Sequence, residues 1–109
     1  MVSDLSPQRV AELLERQPVQ LIDVRQDYEW DAGRITGARH VELTELASQV
    51  DTMAQDQPLI FYCRSGVRSA MATEAFAEAG FDAHNMAGGL LAWDAGGLPI
   101  EPDGGYVAD

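Results

Sequence analysis

The sequence predicts an α/β fold in which helices cover both faces of a central parallel sheet of four or five strands. Residues 19–22 and 59–62 are short apolar runs typical of buried strands, and residues 81–86 are expected to form another strand. Segments with helical patterns separate these runs, so strands and helices alternate along the chain. Such alternation is typical of parallel sheets, because each parallel connection crosses back over the sheet and usually does so as a helix.

Capping signals delimit the predicted helices. Ser6 offers a hydroxyl N-cap and Pro7 suits a first helical position, so residues 7–16 are predicted to be helical. The Ala-rich segment at residues 69–79 is predicted to be a longer helix, which Gly80 ends. Shorter elements complete the pattern: a strand at residues 38–41 and helices at residues 27–32, 44–50 (capped by Thr44) and 90–95.

Length and composition predict one domain. A chain of 109 residues suits a single core, which we expect over residues 1–100, followed by a loose acidic tail at residues 101–109. The net charge is −11, and all seven basic residues are Arg. An acidic protein of this kind is a poor ligand for nucleic acids or anionic membranes, so neither is expected as a partner.

The N-terminal region and the cysteine content favour a cytoplasmic location. The first residues lack the basic and apolar regions of a signal peptide, and no apolar run is long enough to span a membrane. A single cysteine excludes an intramolecular disulfide and suits a reducing compartment. His40 and His84 lack the spacing of metal ligands, so no metal site and no cofactor are expected.

The segment at residues 63–69, Cys-Arg-Ser-Gly-Val-Arg-Ser, carries the candidate chemistry. A single cysteine is often only a small buried apolar residue. Cys63, however, directly follows a predicted buried strand and precedes a predicted helix, where backbone N–H groups and the helix N-terminus stabilise a thiolate. Gly66 allows a tight loop, and Ser69 either caps the helix or donates to the thiolate. Arg64 and Arg68 are expected to make the pocket positive.

Several motifs, in order and in register, resemble the rhodanese-like domain family. Residues 63–69 resemble its active-site loop, and residues 21–25 resemble its strand ending in Asp-x-Arg. Residues 28–38 resemble its stretch with Glu, an aromatic residue and Gly-His-Ile, and residues 85–89 followed by Trp93 resemble its Gly-Gly turn and short helix. Several motifs in register are more specific than any one alone.

The resemblance implies sulfur transfer by double displacement. Cys63 would take sulfane sulfur from a small anionic donor such as thiosulfate, hold it as a persulfide, and pass it to cyanide or a cellular thiol. A persulfide-donating protein is a further candidate partner. Asp23 and Arg25 would brace the loop from the neighbouring strand end. The residues expected to bind substrate are Arg64, Ser65, Gly66, Val67, Arg68 and Ser69.

One position departs from the family pattern. Arg34 stands where the family usually has His. Arginine keeps a cationic donor at this position but loses the titration of histidine near neutral pH. We expect no direct role for Arg34 in catalysis.

Three other functions remain open at the level of the sequence. Phosphatases and arsenate reductases of the same fold use a Cys-loop-Arg site with five intervening residues, whereas only four separate Cys63 from Arg68. The shorter ring fits one sulfur atom better than a tetrahedral oxyanion. A regulatory docking module usually loses the cysteine, which this chain keeps. A persulfide carrier between proteins would use the same loop.

Overall fold

The computed structural model describes residues 3–109, and a five-stranded sheet with all pairings parallel forms its centre. The strands are β1 Ser3–Leu5, β2 Gln20–Asp23, β3 Arg39–His40, β4 Leu59–Tyr62 and β5 Ala83–Met86. Their order across the sheet is β1-β5-β4-β2-β3. The predicted parallel sheet is confirmed, with β1 as a strand that the sequence pattern did not indicate.

The helices within the described residues lie close to their predicted positions. They are α1 Pro7–Arg16, α2 Asp27–Ala32, a 3₁₀ helix Leu43–Thr52, α3 Val67–Glu78 and α4 Gly89–Ala95. Ser6 caps α1 as predicted, and its hydroxyl accepts a hydrogen bond from the Arg9 N–H at 3.0 Å. The prediction that Thr44 caps the third helix is wrong. Glu42 is its N-cap, and the Glu42 carbonyl already accepts from the Glu45 N–H at 2.8 Å.

Helices cover both faces of the sheet, as predicted. Along β4 and into the following loop, Leu59, Phe61 and Cys63 point into one apolar core, which α3 and the 3₁₀ helix cover. Ile60 and Tyr62 point into a second core, which α1 and α4 cover. Alternate residues of a strand face opposite sides of a sheet, so a strand with cores on both sides has to be apolar throughout.

The strand order creates a crevice beside β4. From β2 the chain moves outward to β3, whereas from β4 it moves in the opposite direction to β5. The loops after β2 and β4 therefore diverge, and the carboxyl ends of these two strands flank a topological switch point, where open α/β sheets bind ligands. Cys63 directly follows β4 at this point.

The predicted tail runs along the domain and contacts it. Glu101 pairs with Arg34 through an antiparallel bridge with N–O distances of 2.8 and 2.9 Å. The Tyr106 N–H donates to the Ala32 carbonyl at 2.9 Å, and Ala108 is buried. These contacts bring the end of the chain to the carboxyl edge of the sheet. Within residues 3–109, no helix has the length and apolarity needed to cross a membrane.

Candidate active site

The loop after β4 folds back on its own cysteine. Gly66 has a φ of +104°, a left-handed conformation that favours glycine, and it is the N-cap of α3. This turn directs the Gly66 N–H at the Cys63 Sγ over 3.0 Å. The fully buried Ser69 lies one turn into α3, and its hydroxyl donates to the same sulfur at 3.3 Å. Of the two roles predicted for Ser69, donation to sulfur is observed, whereas Gly66 occupies the cap.

The hydrogen bonds to Cys63 decide the acidity of its thiol. Cys63 is only 1% exposed, and this burial raises its pKa. The hydroxyl and N–H of Ser69, with the N–H groups of Gly66 and Ser65, stabilise the thiolate and lower the pKa. The net result is a lowered pKa. The sulfur is thus shielded from bulk water, and its hydrogen-bond donors favour the thiolate, which is the reactive form.

The first residues of α4, which follow the turn after β5, bind the main chain of the loop. The N–H groups of Leu90 and Leu91 donate to the carbonyls of Cys63 and Arg64 at 2.8 and 3.0 Å. A Cβ on Gly89 would lie 2.4 Å from the Arg64 carbonyl oxygen, so only glycine permits this approach. The sequence predicts the end of a strand and a turn over residues 85–89, but not that this turn supports the cysteine loop. The paired glycines after the strand were the signal that could have suggested it.

Arg68 forms the most buried ion pair of the loop. Its guanidinium donates to both carboxylate oxygens of Glu29 at 2.8 and 2.9 Å. The Glu29 side chain is only 2% exposed, and it also accepts from the Gln26 N–H within the capping box of α2. Burial raises the pKa of Glu29, but its bonds with Arg68 and Gln26 leave the pKa lowered. Glu29 is the Glu of the motif at residues 28–38, but no role at the site was predicted for it, and that motif was the signal that could have suggested one.

Arg64 is held by the end of the chain. Its Nε donates to the Ala108 carbonyl at 3.1 Å, and its Nη2 donates to the Asp109 carboxylate at 2.8 Å. The Tyr28 hydroxyl donates to a main-chain oxygen of Asp109 at 3.0 Å. Both loop arginines are therefore paired with carboxylates, Arg68 with Glu29 and Arg64 with Asp109. These carboxylates offset part of the positive charge that the two arginines bring to the loop, and a net positive pocket stays a prediction.

Asp23 and Arg25 are fully buried and bound to each other. The Arg25 Nη2 donates to Asp23 at 2.7 Å and to the Gly33 carbonyl at 2.7 Å, and Arg25 also lies 5.7 Å from the centre of the Tyr62 ring. Its Nη1 has no hydrogen-bond partner among residues 3–109. The pair thus ties the end of β2 to the segment after α2. The pair also lies close to the cysteine loop at two points. The carbonyl of Tyr62, the residue before Cys63, accepts from the Val24 N–H at 3.1 Å. The Arg25 guanidinium interacts electrostatically with Glu29, the carboxylate that binds Arg68.

The remaining residues considered in the sequence lie outside the loop. Arg34 stacks over Trp30 at 4.9 Å and donates to the Trp30 carbonyl at 3.1 Å. His40 stacks on the same indole ring at 4.9 Å. Within the part of the chain that the structure describes, no group of three or more His, Cys, Asp and Glu side chains could hold a metal ion.

Fold and loop together define the class of protein: a single α/β domain with one thiol held by N–H and O–H donors after its central strand. The model of the rhodanese-like domain family matches residues 6–96, and the chain belongs to this family.

Similar proteins include enzymes named for sulfur transfer. The thiosulfate sulfurtransferase GlpE of Shewanella oneidensis is 31% identical over 82% of this chain and 89% of its own length. The probable adenylyltransferase/sulfurtransferase MoeZ of Mycobacterium tuberculosis is 37% identical over 84% of this chain, which matches only 24% of that longer protein. The solved rhodanese-like domain protein of Staphylococcus aureus has a TM-score of 0.80 at 28% identity, over 99% of this chain and 100% of its own.

Proposed function

We propose that this protein is a sulfurtransferase that moves sulfane sulfur from a donor such as thiosulfate to a thiophilic acceptor through a persulfide on Cys63. The observation that carries the proposal is the thiol itself. Its Sγ lies 3.0 Å from the Gly66 N–H and 3.3 Å from the Ser69 hydroxyl, and its pKa is lowered. A nucleophilic thiolate at neutral pH is what the first transfer needs.

The first step would load the enzyme. The Cys63 thiolate attacks the outer sulfur of thiosulfate, a new S–S bond forms, and the original S–S bond breaks. Its electron pair leaves with sulfite, so the cysteine carries a persulfide anion and no proton or external oxidant is required. The N–H groups of Ser65, Gly66 and Ser69 that favour the thiolate would also stabilise this anion, in the manner of an oxyanion hole.

The second step would unload it. Cyanide, or the thiolate of a cellular thiol, attacks the outer sulfur of the persulfide, and the electron pair of that S–S bond returns to Cys63. Thiocyanate or a new persulfide is released, and the enzyme thiolate is regenerated. The joint adenylyltransferase/sulfurtransferase name of MoeZ favours testing a protein acceptor as well as small thiols.

The geometry of the loop favours this chemistry over hydrolysis of phosphate or reduction of arsenate. Donor groups of three residues, Ser65, Gly66 and Ser69, already converge on the sulfur within the loop that runs from Cys63 to Ser69. The guanidinium of Arg68, which would have to clasp a tetrahedral oxyanion, is instead held by both oxygens of Glu29. Hydrolysis of p-nitrophenyl phosphate or reduction of arsenate, with no sulfur transfer, would reverse this order.

The test is the intact mass of the protein after incubation with thiosulfate and then with cyanide. We expect the wild type to gain the mass of one sulfur atom and to lose it again as thiocyanate. Because Cys63 is the single cysteine, any such gain reports on one residue. Cys63→Ser should gain nothing, since its hydroxyl cannot form the persulfide.

Protein persulfide donors distinguish a thiosulfate sulfurtransferase from a persulfide carrier and from a docking module. If thiosulfate adds no sulfur to a demonstrably free thiol, a protein persulfide such as a loaded cysteine desulfurase becomes the donor to test. Loading by that protein alone would identify a persulfide carrier. Failure of every donor would contradict sulfur transfer and leave a docking module.

A further inference from the structure

The last residues of the chain form a strap against the active-site loop. We define this C-terminal strap as residues 106–109. At its start the Tyr106 N–H donates to the Ala32 carbonyl at 2.9 Å, and near its end Ala108 is only 8% exposed. Gly33 lies so close beneath it that an added Cβ would be 2.4 Å from the Tyr106 carbonyl oxygen. The strap is thus fitted to the surface that leads to the loop.

The strap ends on a cation of the loop. The Arg64 guanidinium donates from Nε to the Ala108 carbonyl at 3.1 Å and from Nη2 to the Asp109 carboxylate at 2.8 Å. These two bonds use adjacent N–H groups on one edge of the guanidinium. That edge is one of the two through which arginine binds carboxylates and other oxyanions in a bidentate manner. An oxyanion arriving at this edge of Arg64 would therefore meet the strap.

The other loop cation is not open to the same exchange. Arg68 makes two bonds with Glu29, whose side chain is 2% exposed, so displacing Glu29 would leave a buried carboxylate unpaired. The Asp109 side chain is 98% exposed, and water would solvate it after displacement. Arg64 is therefore the loop arginine that an incoming anion can take over.

We propose that Asp109 is a specificity-determining residue that competes with anionic sulfur donors for Arg64. This inference rests on the proposed function, since it assigns the donor class of that same site. With Asp109 in place, the field beside Cys63 disfavours a dianion such as thiosulfate more than a monoanion such as methanethiosulfonate. Both donors transfer one sulfur to the thiolate and release sulfite or methanesulfinate, so they differ at this step mainly in charge.

The first experiment measures the electrostatic potential at Cys63 and requires no sulfur transfer. Iodoacetate and iodoacetamide alkylate the same thiolate, but only iodoacetate is an anion, so the ratio of their rates reports the local potential. In Asp109→Asn at low ionic strength, we expect the iodoacetate-to-iodoacetamide ratio to rise about two- to five-fold, the range of an exposed ion pair. Asp103→Asn is the matched control, because Asp103 is an exposed carboxylate of the same tail with no ion pair among residues 3–109. It should leave the ratio near the wild-type value.

A double-mutant cycle tests whether Asp109 acts through Arg64. In an Arg64→Gln background, Asp109→Asn should no longer change the alkylation ratio, because the two groups act as a unit. An Asp109 effect that persists in this background, or one that Asp103→Asn reproduces, would show a diffuse field and overturn the proposal. An unchanged ratio in Asp109→Asn would overturn it directly.

Steady-state kinetics test whether the charge of Asp109 affects the binding of the sulfur donor. For Asp109→Asn we expect the KM for thiosulfate to fall about two- to five-fold with kcat little changed, and the KM for methanethiosulfonate to fall less. A KM for thiosulfate that is unchanged or raised would contradict the proposed competition. If neither donor loads the wild type while the alkylation ratio still responds to Asp109, the proposed function fails and the electrostatic coupling of Asp109 to Arg64 stands.

Discussion

The two arginines of the loop are paired with carboxylates in different ways. Arg68 donates to both oxygens of Glu29, a side chain that is 2% exposed and fixed by the capping box of α2. Arg64 donates to one oxygen of Asp109, which is 98% exposed and lies at the end of the strap. The two arginine side chains themselves are equally exposed, at 34%. The partners, rather than the arginines, make one pair permanent and the other exchangeable.

This difference separates two tasks within a seven-residue loop. The Arg68–Glu29 pair joins α3 to α2 and so fixes the helix whose N-terminal groups surround the sulfur. Its loss would disturb the fold of the site. The Arg64–Asp109 pair holds only the strap, and its loss would change the charge beside the site.

Removing the buried carboxylate should destabilise the protein. Glu29→Gln leaves Arg68 without its anion and weakens the capping box, so we expect the free energy of unfolding at pH 7 to fall by about 2 kcal/mol. Chemical denaturation measures this. Asp31→Asn, at an exposed carboxylate of the same helix, should change it by less than about 0.5 kcal/mol. Equal effects of the two substitutions would contradict a stabilising role of the buried Arg68–Glu29 pair.

The same pair predicts a dependence on pH. The pKa of Glu29 is lowered in the folded protein, so its contribution to stability is present above the unfolded pKa of about 4.3 and is lost as the pH falls through the folded value. The stability difference between wild type and Glu29→Gln should therefore shrink on going from pH 7 to below pH 4. Denaturant titrations at several pH values measure it, and a difference that grows in acid would contradict the assignment.

The contrast between the two arginines also marks what the sequence could predict. The loop is a local feature: strand, cysteine, glycine and helix follow one another within a few residues, so Cys63, Gly66 and Ser69 could be identified directly. The partners of the arginines lie 39 and 45 residues away from them. Glu29 stands in the motif at residues 28–38, but its residue type does not show that it binds Arg68, and Asp109 lies outside every motif in a chain with 18 Asp and Glu residues. Only the tertiary structure decides which carboxylate is buried.

Similar reasons explain the gaps in the predicted fold. The strands β2 and β4 were predictable because they are apolar runs between turn residues. The strand β1 has only three residues and includes Asp4, so its pairing with β5 gives no pattern of its own. The contacts of the strap are made mostly by main-chain atoms of Gly33, Ala32 and Tyr106, which side-chain patterns do not report.

The acidity of Cys63 should depend on Ser69 more than on its other serine neighbour. The Ser69 hydroxyl is the largest of the effects that lower the thiol pKa, so Ser69→Ala should raise that pKa. The pH profile of alkylation by iodoacetamide measures the midpoint. Ser65→Ala is the control, since Ser65 acts through its main-chain N–H, which alanine keeps. In Ser65→Ala the pKa of Cys63 should stay at the wild-type value. Equal midpoints for the two variants would contradict the role of the Ser69 hydroxyl.

Displacing the strap with a larger side chain at Gly33 should have a small effect on the charge beside Cys63. Gly33 has an extended backbone that any residue adopts, so Gly33→Ala acts only through the Cβ, 2.4 Å from the Tyr106 carbonyl oxygen. Because the strap can move aside while the core stays folded, the iodoacetate-to-iodoacetamide ratio should rise by about two-fold with the thermal midpoint nearly unchanged. In combination with Asp109→Asn the rise should not add, since both changes free the same guanidinium. A folded Gly33→Ala variant with the wild-type ratio would show that Arg64 keeps its partner without the strap contacts at Gly33.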